Sequence, residues 1–211
     1  MENPCMVRTL ERLRKENYST KIGVRLMNVI KTNLLDVYIL EPKVFGDSRG
    51  WFMESWSERT MEDADLHYKF VQDNHSYSEQ KSTLRGLHFQ KGEAAQAKLV
   101  RCVRGAVRDI VVDMREGSPT YKQWIAVEIS AENNRQLLIP RGFLHGFVTL
   151  TEHVEFVYKA DNFYNYEADR TILWNDEELN VNWGVENPII SDKDLKAPKL
   201  CESDIDFKYL G

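Results

Sequence analysis

The sequence predicts an all-β fold, because short β-prone segments recur along the chain and turn residues separate them. Two segments, residues 98–103 and 123–129, alternate clearly between apolar and polar side chains. Turn signals at Gly105 and at residues 117–119 and 132–134 interrupt such segments at short intervals. Many short strands with regular turn signals are typical of a β-sandwich or a β-barrel.

The predicted elements follow a distinct N-terminal segment. Residues 1–26 are charged and form an extension, in which residues 9–17 are predicted either as a short helix or as part of a loose arm. Residues 27–211 are predicted to form a single domain. A short helix is predicted at residues 57–65, and a polar C-terminal tail is predicted to begin at residues 192–195. The predicted strands lie at residues 36–40, 98–103, 107–112, 123–129, 137–139, 147–150 and 154–158.

Individual strands are predicted for different reasons. Residues 36–40 are mostly apolar and include the β-branched Val37 and Ile39. Residues 107–112, with the sequence VRDIVV, have a strong β propensity. Residues 137–139 run into Pro140, which cannot donate to a strand ladder and therefore marks an end.

Composition restricts the class of protein. The 211 residues suffice for one domain with its own core, and the net charge of −5 argues against a general nucleic-acid binder. Because no run of about 18 apolar residues occurs and the N-terminus lacks an apolar signal core, we expect no membrane span and a cytoplasmic location. Three widely spaced cysteines, Cys5, Cys102 and Cys201, predict neither a disulfide framework nor a CxxC metal site.

Two of the five histidines lie in unusual surroundings. His88 and His145 each follow a glycine and have apolar neighbours, so each imidazole is expected to be partly buried, where its pKa can suit proton transfer. Such a histidine, taken alone, is more often a satisfied core residue. The sequence around His145 resembles the second conserved box of the cupins, which are jelly-roll β-sandwiches. The HxH pair of the first cupin box is missing at His88-Phe89-Gln90, which favours acid–base chemistry over a metal site.

A more extensive resemblance covers residues 27–198. The chain is similar to the dTDP-4-dehydrorhamnose 3,5-epimerase family, which implies a cupin-type jelly-roll β-sandwich with a few short helices and no metal or cofactor. A single short block would be weak support, whereas separated blocks in the family order are highly specific. The matching blocks are residues 45–54, 70–76, 84–90, 98–101, 118–120, 140–147, 156–159, 174–176 and 191–194.

The resemblance implies roles for individual residues. His88 matches the general base, Asp194 the carboxylate that pairs with it, and Tyr158 the general acid. Lys98 matches a lysine close to the reacting ketone. Tyr164 matches the aromatic residue that stacks on the thymine ring. The other positions that match ligand contacts are Arg49, Glu54, Gln72, Asn74, Arg85, His145, Asp169 (where the family often has glutamate) and Lys193.

These residue types suit the implied reaction, which inverts C3 and C5 of dTDP-4-dehydro-6-deoxy-D-glucose to give dTDP-4-dehydro-L-rhamnose. A C–H bond beside a ketone is weakly acidic, and its loss gives an enolate. A histidine oriented by a carboxylate can take the proton, a tyrosine can return one on the other face, and a lysine can stabilise the enolate oxygen. The alternatives are an epimerase of one centre or of another nucleotide-linked 4-keto sugar, a metal-dependent cupin, and a non-enzymatic cupin that binds sugar nucleotides.

A homodimer is expected from the resemblance, with residues 49–54 reaching the neighbouring pocket. The β-prone run at residues 29–40 supports it, because an early strand can cover a sheet edge across a dimer. The chain departs from the family at Lys122, where glycine is usual, at Leu144, where alanine is common, and at residues 165–166, where a serine-proline pair is typical. These departures concern nucleotide and substrate detail more than the proton chemistry.

Overall fold

Antiparallel β-strands build the part of the chain that the computed structural model describes, residues 26–211. The predicted helix at residues 9–17 and nearly all of the predicted extension lie outside the described residues. The strands, numbered β1 to β14 in chain order, are Met27–Lys31, Tyr38–Pro42, Val44–Asp47, Gly50–Met53, Gln72–Ser78, Thr83–Gln90, Lys98–Arg104, Ala106–Asp113, Trp124–Ser130, Gln136–Ile139, Phe143–Thr149, Val154–Ala160, Asp169–Thr171 and Ile189–Ile190.

Helices are few and short in the described residues, so the predicted all-β fold is confirmed. Two α-helices occur, α1 at Glu58–Asp63 and α2 at Asp192–Leu195. Ser57 caps α1, because its hydroxyl oxygen accepts a hydrogen bond from the Thr60 N–H. Single 3₁₀ turns lie at Gly92–Ala94, Tyr166–Ala168 and Leu200–Glu202. No helix among the described residues is long and apolar enough to cross a membrane.

Two large sheets face each other and a small one stands apart. The first has the strand order β1-β2-β10-β7-β12-β5, and the second has the order β13-β6-β11-β8-β9, with β14 added in parallel to β6. All other pairs in both sheets are antiparallel. Strands β3 and β4 pair only with each other, as a separate hairpin.

Three apolar clusters hold these layers together. The cluster between the sheets includes Val100, Val111 and Phe156. The outer face of the second sheet, including Leu144, is covered by the C-terminal segment through residues such as Trp183. The outer face of the first sheet packs against α1, where Met61 joins Leu40, Leu99 and Leu138. Burial of these side chains is the main stabilising term of the fold.

The space between the sheets is apolar at one end and polar at the other. Strands β7, β11 and β13 begin at the polar end, whereas β6 and β12 finish there, as their antiparallel registers require. The inward residues there are polar or ionisable, and they are Gln72, Asn74, His88, Gln90, Lys98, His145, Tyr158 and Asp169. This arrangement places a polar pocket at one end of the sandwich.

Several sequence predictions need correction in detail. The predicted strand at residues 36–40 begins only at Tyr38, because Asp36 lies in a turn with φ of 68°. The strand predicted at residues 147–150 begins four residues earlier, so His145 lies inside β11. The run at residues 29–40 is not one strand but β1 and β2 joined by a turn. Residues 192–195 are not a polar tail but helix α2, whose Asp194 is only 3% exposed.

Candidate active site

A histidine–aspartate pair lies at the polar end of the sandwich. His88 on β6 places Nε2 2.7 Å from Oδ1 of Asp194 on α2. The backbone N–H of Gly86 donates to the other carboxylate oxygen at 3.2 Å. Burial alone would raise the pKa of Asp194, but the hydrogen bonds from His88 and Gly86 hold that pKa below its ordinary value. Asp194 is therefore a carboxylate that orients the imidazole.

Local backbone features bring this pair together. Gly86 has a φ of +131°, and a Cβ atom there would lie 2.6 Å from the Cα of Gly146, so only glycine allows β6 and β11 to approach so closely. At the other partner, the Ser191 hydroxyl oxygen accepts a hydrogen bond from the Asp194 N–H at 3.2 Å and caps α2. Both predicted members of the pair are thus fixed by their own elements.

A lysine and a tyrosine face this pair from the opposite sheet. Tyr158 lies on β12 and Lys98 on β7, with the Lys98 Nζ 5.6 Å from the centre of the Tyr158 ring. Burial lowers the pKa of Lys98 to about 8, although Asp109 and Asp169 oppose this shift. Burial raises the pKa of the Tyr158 hydroxyl, and Asp169 adds to that effect, so the hydroxyl stays protonated at neutral pH. A cation and a neutral proton donor thus lie across the pocket from His88.

A second histidine–aspartate pair adjoins the first. His145 pairs with His88 in the register of β11 and β6. The Nε2 of His145 lies 2.9 Å and 3.1 Å from the two carboxylate oxygens of Asp109 on β8. Asp109 is fully buried, and burial raises its pKa. Sequence reasoning missed Asp109, although an aspartate in the middle of the apolar segment VRDIVV was a usable signal.

Hydrogen bonds along β5 hold the loop that carries Tyr164. The side chain of Gln72 donates to Asn74 at 3.0 Å and accepts from the Tyr164 N–H at 3.0 Å. Gln90, another residue that sequence reasoning missed, accepts from the Asn165 N–H at 2.7 Å and donates to the Phe163 carbonyl at 3.2 Å. Tyr164 is 55% exposed, so part of this aromatic side chain is accessible to a ligand.

The departure at residues 165–166 has a local replacement for the missing proline. The Asn165 side-chain oxygen accepts a hydrogen bond from the Glu167 N–H at 2.9 Å and thereby starts the 3₁₀ turn. Asparagine caps such turns well, so the loop keeps a defined shape without a fixed proline φ. Tyr166 lies on the surface beside Tyr164 with 77% of its area exposed.

Two further predicted residues form an ion pair at the edge of the pocket. Lys193 Nζ lies 2.6 Å from Oδ2 of Asp169 on β13. The Tyr164 hydroxyl donates to the same oxygen at 3.4 Å. Since Lys193 and Asp194 are consecutive in α2, this helix contacts both β13 and β6 through adjacent side chains.

The three remaining predicted residues make their described contacts with groups other than the His88 pair. Arg85 points towards β5, where it donates to the Ser78 hydroxyl at 3.2 Å and the Tyr77 carbonyl at 3.1 Å. Arg49, on the β3–β4 hairpin, pairs with Asp47 at 2.6 Å and is highly exposed. Glu54 accepts a hydrogen bond from the Thr60 hydroxyl at 2.5 Å. None of the contacts described within residues 26–211 connects Arg49 or Glu54 to the pocket of the same chain.

A metal centre would need several ligands close together. Within the described part of the chain, no group of three or more histidine, cysteine, aspartate or glutamate side chains is arranged to hold a metal ion. The imidazoles of His88 and His145 each contact a single carboxylate instead.

The fold and the site together define a cupin-fold enzyme of the acid–base type, with an oriented histidine on one side of a pocket and a tyrosine and a lysine on the other. The family model described as dTDP-4-dehydrorhamnose 3,5-epimerase matches residues 31–202. The chain belongs to this family.

Individual relatives agree with this assignment. The dTDP-4-dehydrorhamnose 3,5-epimerase of Salmonella typhimurium is 56% identical over 180 residues, which cover 84% of this chain and 98% of the relative. The crystal structure of the Bacillus anthracis enzyme, with TDP and PPi bound, has a TM-score of 0.81 and 50% identity, and the match covers 82% of this chain and 99% of that one. The structure of the Legionella pneumophila enzyme in complex with dTDP-4-keto-L-rhamnose has a TM-score of 0.83 and 41% identity. The match covers 88% of this chain and 100% of that one. The predicted cupin-type β-sandwich is therefore confirmed, whereas the catalytic roles of the individual residues stay predictions.

Proposed function

We propose that this chain inverts C3 and C5 of dTDP-4-dehydro-6-deoxy-D-glucose and so forms dTDP-4-dehydro-L-rhamnose. Membership of the family supports this reaction. The observation that carries the mechanism is the 2.7 Å contact between His88 and Asp194, opposite Tyr158 on the other sheet. A base and an acid on opposite sides of a sugar are what inversion requires.

In the first step, His88 takes the proton from the carbon beside the C4 ketone. Asp194 holds the proton of one ring nitrogen, so the other nitrogen keeps its lone pair for this task. The electrons of the broken C–H bond move into the C3–C4 or C4–C5 bond, and the C4 oxygen becomes an enolate. Lys98, charged below its pKa of about 8, stabilises this oxygen from its buried position.

In the second step, Tyr158 gives a proton to the opposite face of the same carbon. The enolate collapses to the ketone, and the stereocentre is inverted. The tyrosinate is then reprotonated from solvent, which its raised pKa favours, and the His88 imidazolium releases the proton that it took to solvent. Both α-carbons of the ketone can undergo these steps, so one set of residues serves two centres.

The nucleotide would bind around the rim of the pocket. We assign the thymine ring to the exposed face of Tyr164, with Gln72 and Asn74 beside it. Lys193 and Arg85 would contact the diphosphate, for which lysine and arginine are suitable donors. His145, held by Asp109, would form a hydrogen bond with a sugar hydroxyl.

We also propose that the active form is a homodimer in the cytoplasm. The β3–β4 hairpin supports a dimer, because its strands pair only with each other and its aromatic residues are exposed, Trp51 by 62% and Phe52 by 70%. An isolated two-stranded ribbon is marginally stable in water, and exposed aromatic groups favour a partner. The hairpin of one copy would bring Arg49 and Glu54 to the pocket of the other.

The mechanism is tested by following solvent deuterium into the sugar by NMR. In D₂O the unmodified protein should incorporate deuterium at both C3 and C5, whereas an epimerase of a single centre would label one. Tyr158→Phe keeps the ring but removes the acid, so exchange should persist while net epimerisation falls by about 10²–10⁴-fold. His88→Asn removes the base and should abolish both.

The matched variant for the pair is Asp194→Asn. The imidazole then stays but loses its orienting charge, so exchange and epimerisation should both fall to intermediate rates. If His88→Asn exchanged protons as fast as the unmodified protein, His88 could not be the base and the mechanism would be wrong.

A further inference from the structure

Asp169 holds two groups of the nucleotide site with one carboxylate. Its Oδ2 lies 2.6 Å from Lys193 Nζ and 3.4 Å from the Tyr164 hydroxyl. The Asp169 side chain is 18% exposed, whereas that of Lys193 is 58% exposed. The lysine can therefore move outwards into solvent more easily than the aspartate can follow it.

The ion pair partly cancels the charge that a diphosphate would find. Burial would lower the pKa of Lys193, but the contact with Asp169 more than offsets this effect and raises that pKa. Lys193 therefore stays charged, and its ammonium is in contact with the Asp169 carboxylate. An incoming diphosphate must compete with Asp169 for Lys193 and is itself repelled by the carboxylate.

We propose that Asp169 is a positioning residue, which holds Lys193 and Tyr164 in the empty site and yields Lys193 to the diphosphate, and does not itself bind the nucleotide. This inference rests on the proposed function, because it takes Lys193 as a diphosphate ligand. It differs from what the resemblance implies for this position, a direct ligand contact by a longer glutamate. Aspartate is one methylene shorter, and its described contacts are with Lys193 and Tyr164.

The two interpretations predict opposite signs for the effect of one substitution. Asp169→Asn keeps the size and an oxygen acceptor for Tyr164 but removes the charge. A direct ligand contact would be weakened by this change. A positioning carboxylate that competes with the diphosphate would instead, once neutralised, leave Lys193 more available and repel the ligand less.

The experiment is calorimetric titration of the full chain with dTDP, pyrophosphate and thymidine, without turnover. For Asp169→Asn we expect dTDP and pyrophosphate to bind about three- to tenfold more tightly, the range expected for a partly exposed ion pair, and thymidine to bind as before. Asp169→Ala also removes the acceptor for Tyr164, so it should weaken thymidine binding. Asp169→Glu restores the charge and should return pyrophosphate affinity to that of the unmodified protein.

The control is Glu178→Gln, which removes a carboxylate paired with Lys122 away from the pocket. It should change dTDP affinity by less than about twofold, so a gain limited to Asp169 is not a general effect of net charge. A gain in affinity cannot come from a damaged fold. Weaker dTDP binding by Asp169→Asn would overturn this inference alone, whereas failure of the unmodified protein to bind dTDP would overturn the proposed function as well.

Discussion

At the scale of single residues, the charge of Lys98 depends on its surroundings. Burial lowers its pKa to about 8, so the ammonium is charged below this pH and neutral above it. If Lys98 stabilises the enolate, kcat/KM for epimerisation should fall by about tenfold per pH unit as the pH rises through that pKa. The pH profile of kcat/KM under dilute substrate tests this expectation.

The control for this fall of kcat/KM at high pH, the alkaline limb of the profile, is Lys98→Met, which approximately keeps the length of the side chain without a charge. Its kcat/KM should be about 10²–10³-fold lower at pH 7 and should lack the limb near pH 8. In the complex, the anionic substrate favours the ammonium, so the limb of kcat should lie at higher pH than that of kcat/KM. A limb that persists in Lys98→Met would assign it to another group.

Residue types in the sequence indicated some members of the site and concealed others. His88 and His145 were visible because each stands beside a glycine, and Gly86 does permit a close approach of two strands. Asp194, taken alone, reads as a solvated tail residue, and only its contact with His88 shows why it is buried. Contacts between residues more than 100 positions apart cannot be inferred from local sequence without a family resemblance.

Position 122 shows how a departure from the family can be accommodated. Lys122 has a φ of +61°, a left-handed conformation that favours the glycine usual at this position. Its ammonium pairs with Glu178 and lies 5.1 Å from the centre of the Tyr121 ring.

At the scale of elements, the cap of helix α2 supports the position of Asp194 in the proposed His88–Asp194 pair. Ser191 caps this helix by accepting a hydrogen bond from the N–H of Asp194, the residue that orients His88. Ser191→Ala should lower the free energy of unfolding by about 1 kcal/mol and Tm by about 2–4 °C. Because the helix also positions the carboxylate, kcat should fall as well, with little change in KM.

The control is Ser57→Ala, which removes the equivalent cap of α1. A similar loss of stability is expected there, with a smaller change in kcat, because α1 packs on the outer face of the first sheet and carries neither member of the His88–Asp194 pair. Thermal melts and steady-state kinetics of the two variants check the difference. Equal kcat values in the two variants would show that α2 does not need its cap to place Asp194.

Strands whose inward residues are mainly apolar were predicted well, whereas β5, which lines the pocket with polar residues, was not. Residues 98–103 and 107–112 lie within β7 and β8, because their inward apolar residues give clear patterns. In contrast, β5 reads QDNHSYS, since its inward face lines the polar pocket and its other face is exposed. A strand that lines a polar pocket with one face and is exposed to solvent on the other has no apolar pattern in its sequence.

At the scale of the whole molecule, the β3–β4 hairpin is the element that lacks packing partners, because among the described residues its two strands pair only with each other. It follows β2 with its aromatic residues exposed, and its Arg49 makes no described contact with the pocket of the same chain within residues 26–211. The sequence run at residues 29–40, which suggested a dimer, instead forms two strands paired within the chain. The hairpin is therefore the better structural argument for a homodimer.

Mixed dimers test this assembly most directly. If Arg49 acts in the partner's pocket, each site combines His88 of one chain with Arg49 of the other chain. A homodimer of Arg49→Ala or of His88→Asn then lacks one of these groups in both sites and should be nearly inactive. A mixed dimer of the two has one site with both lesions and one intact site. Random mixing at equal amounts should therefore recover about a quarter of the unmodified activity, because half of the dimers are mixed.

The matched control mixes His88→Asn with Asp194→Asn. These two lesions lie in the pocket of each chain, so no combination of the two chains yields an intact site, and activity should stay at the level of the variants. Sedimentation of each mixture establishes the oligomeric state. A monomer with full activity at micromolar concentration, or no recovery in the Arg49→Ala mixture despite exchange of subunits, would show that the hairpin does not complete the neighbouring site.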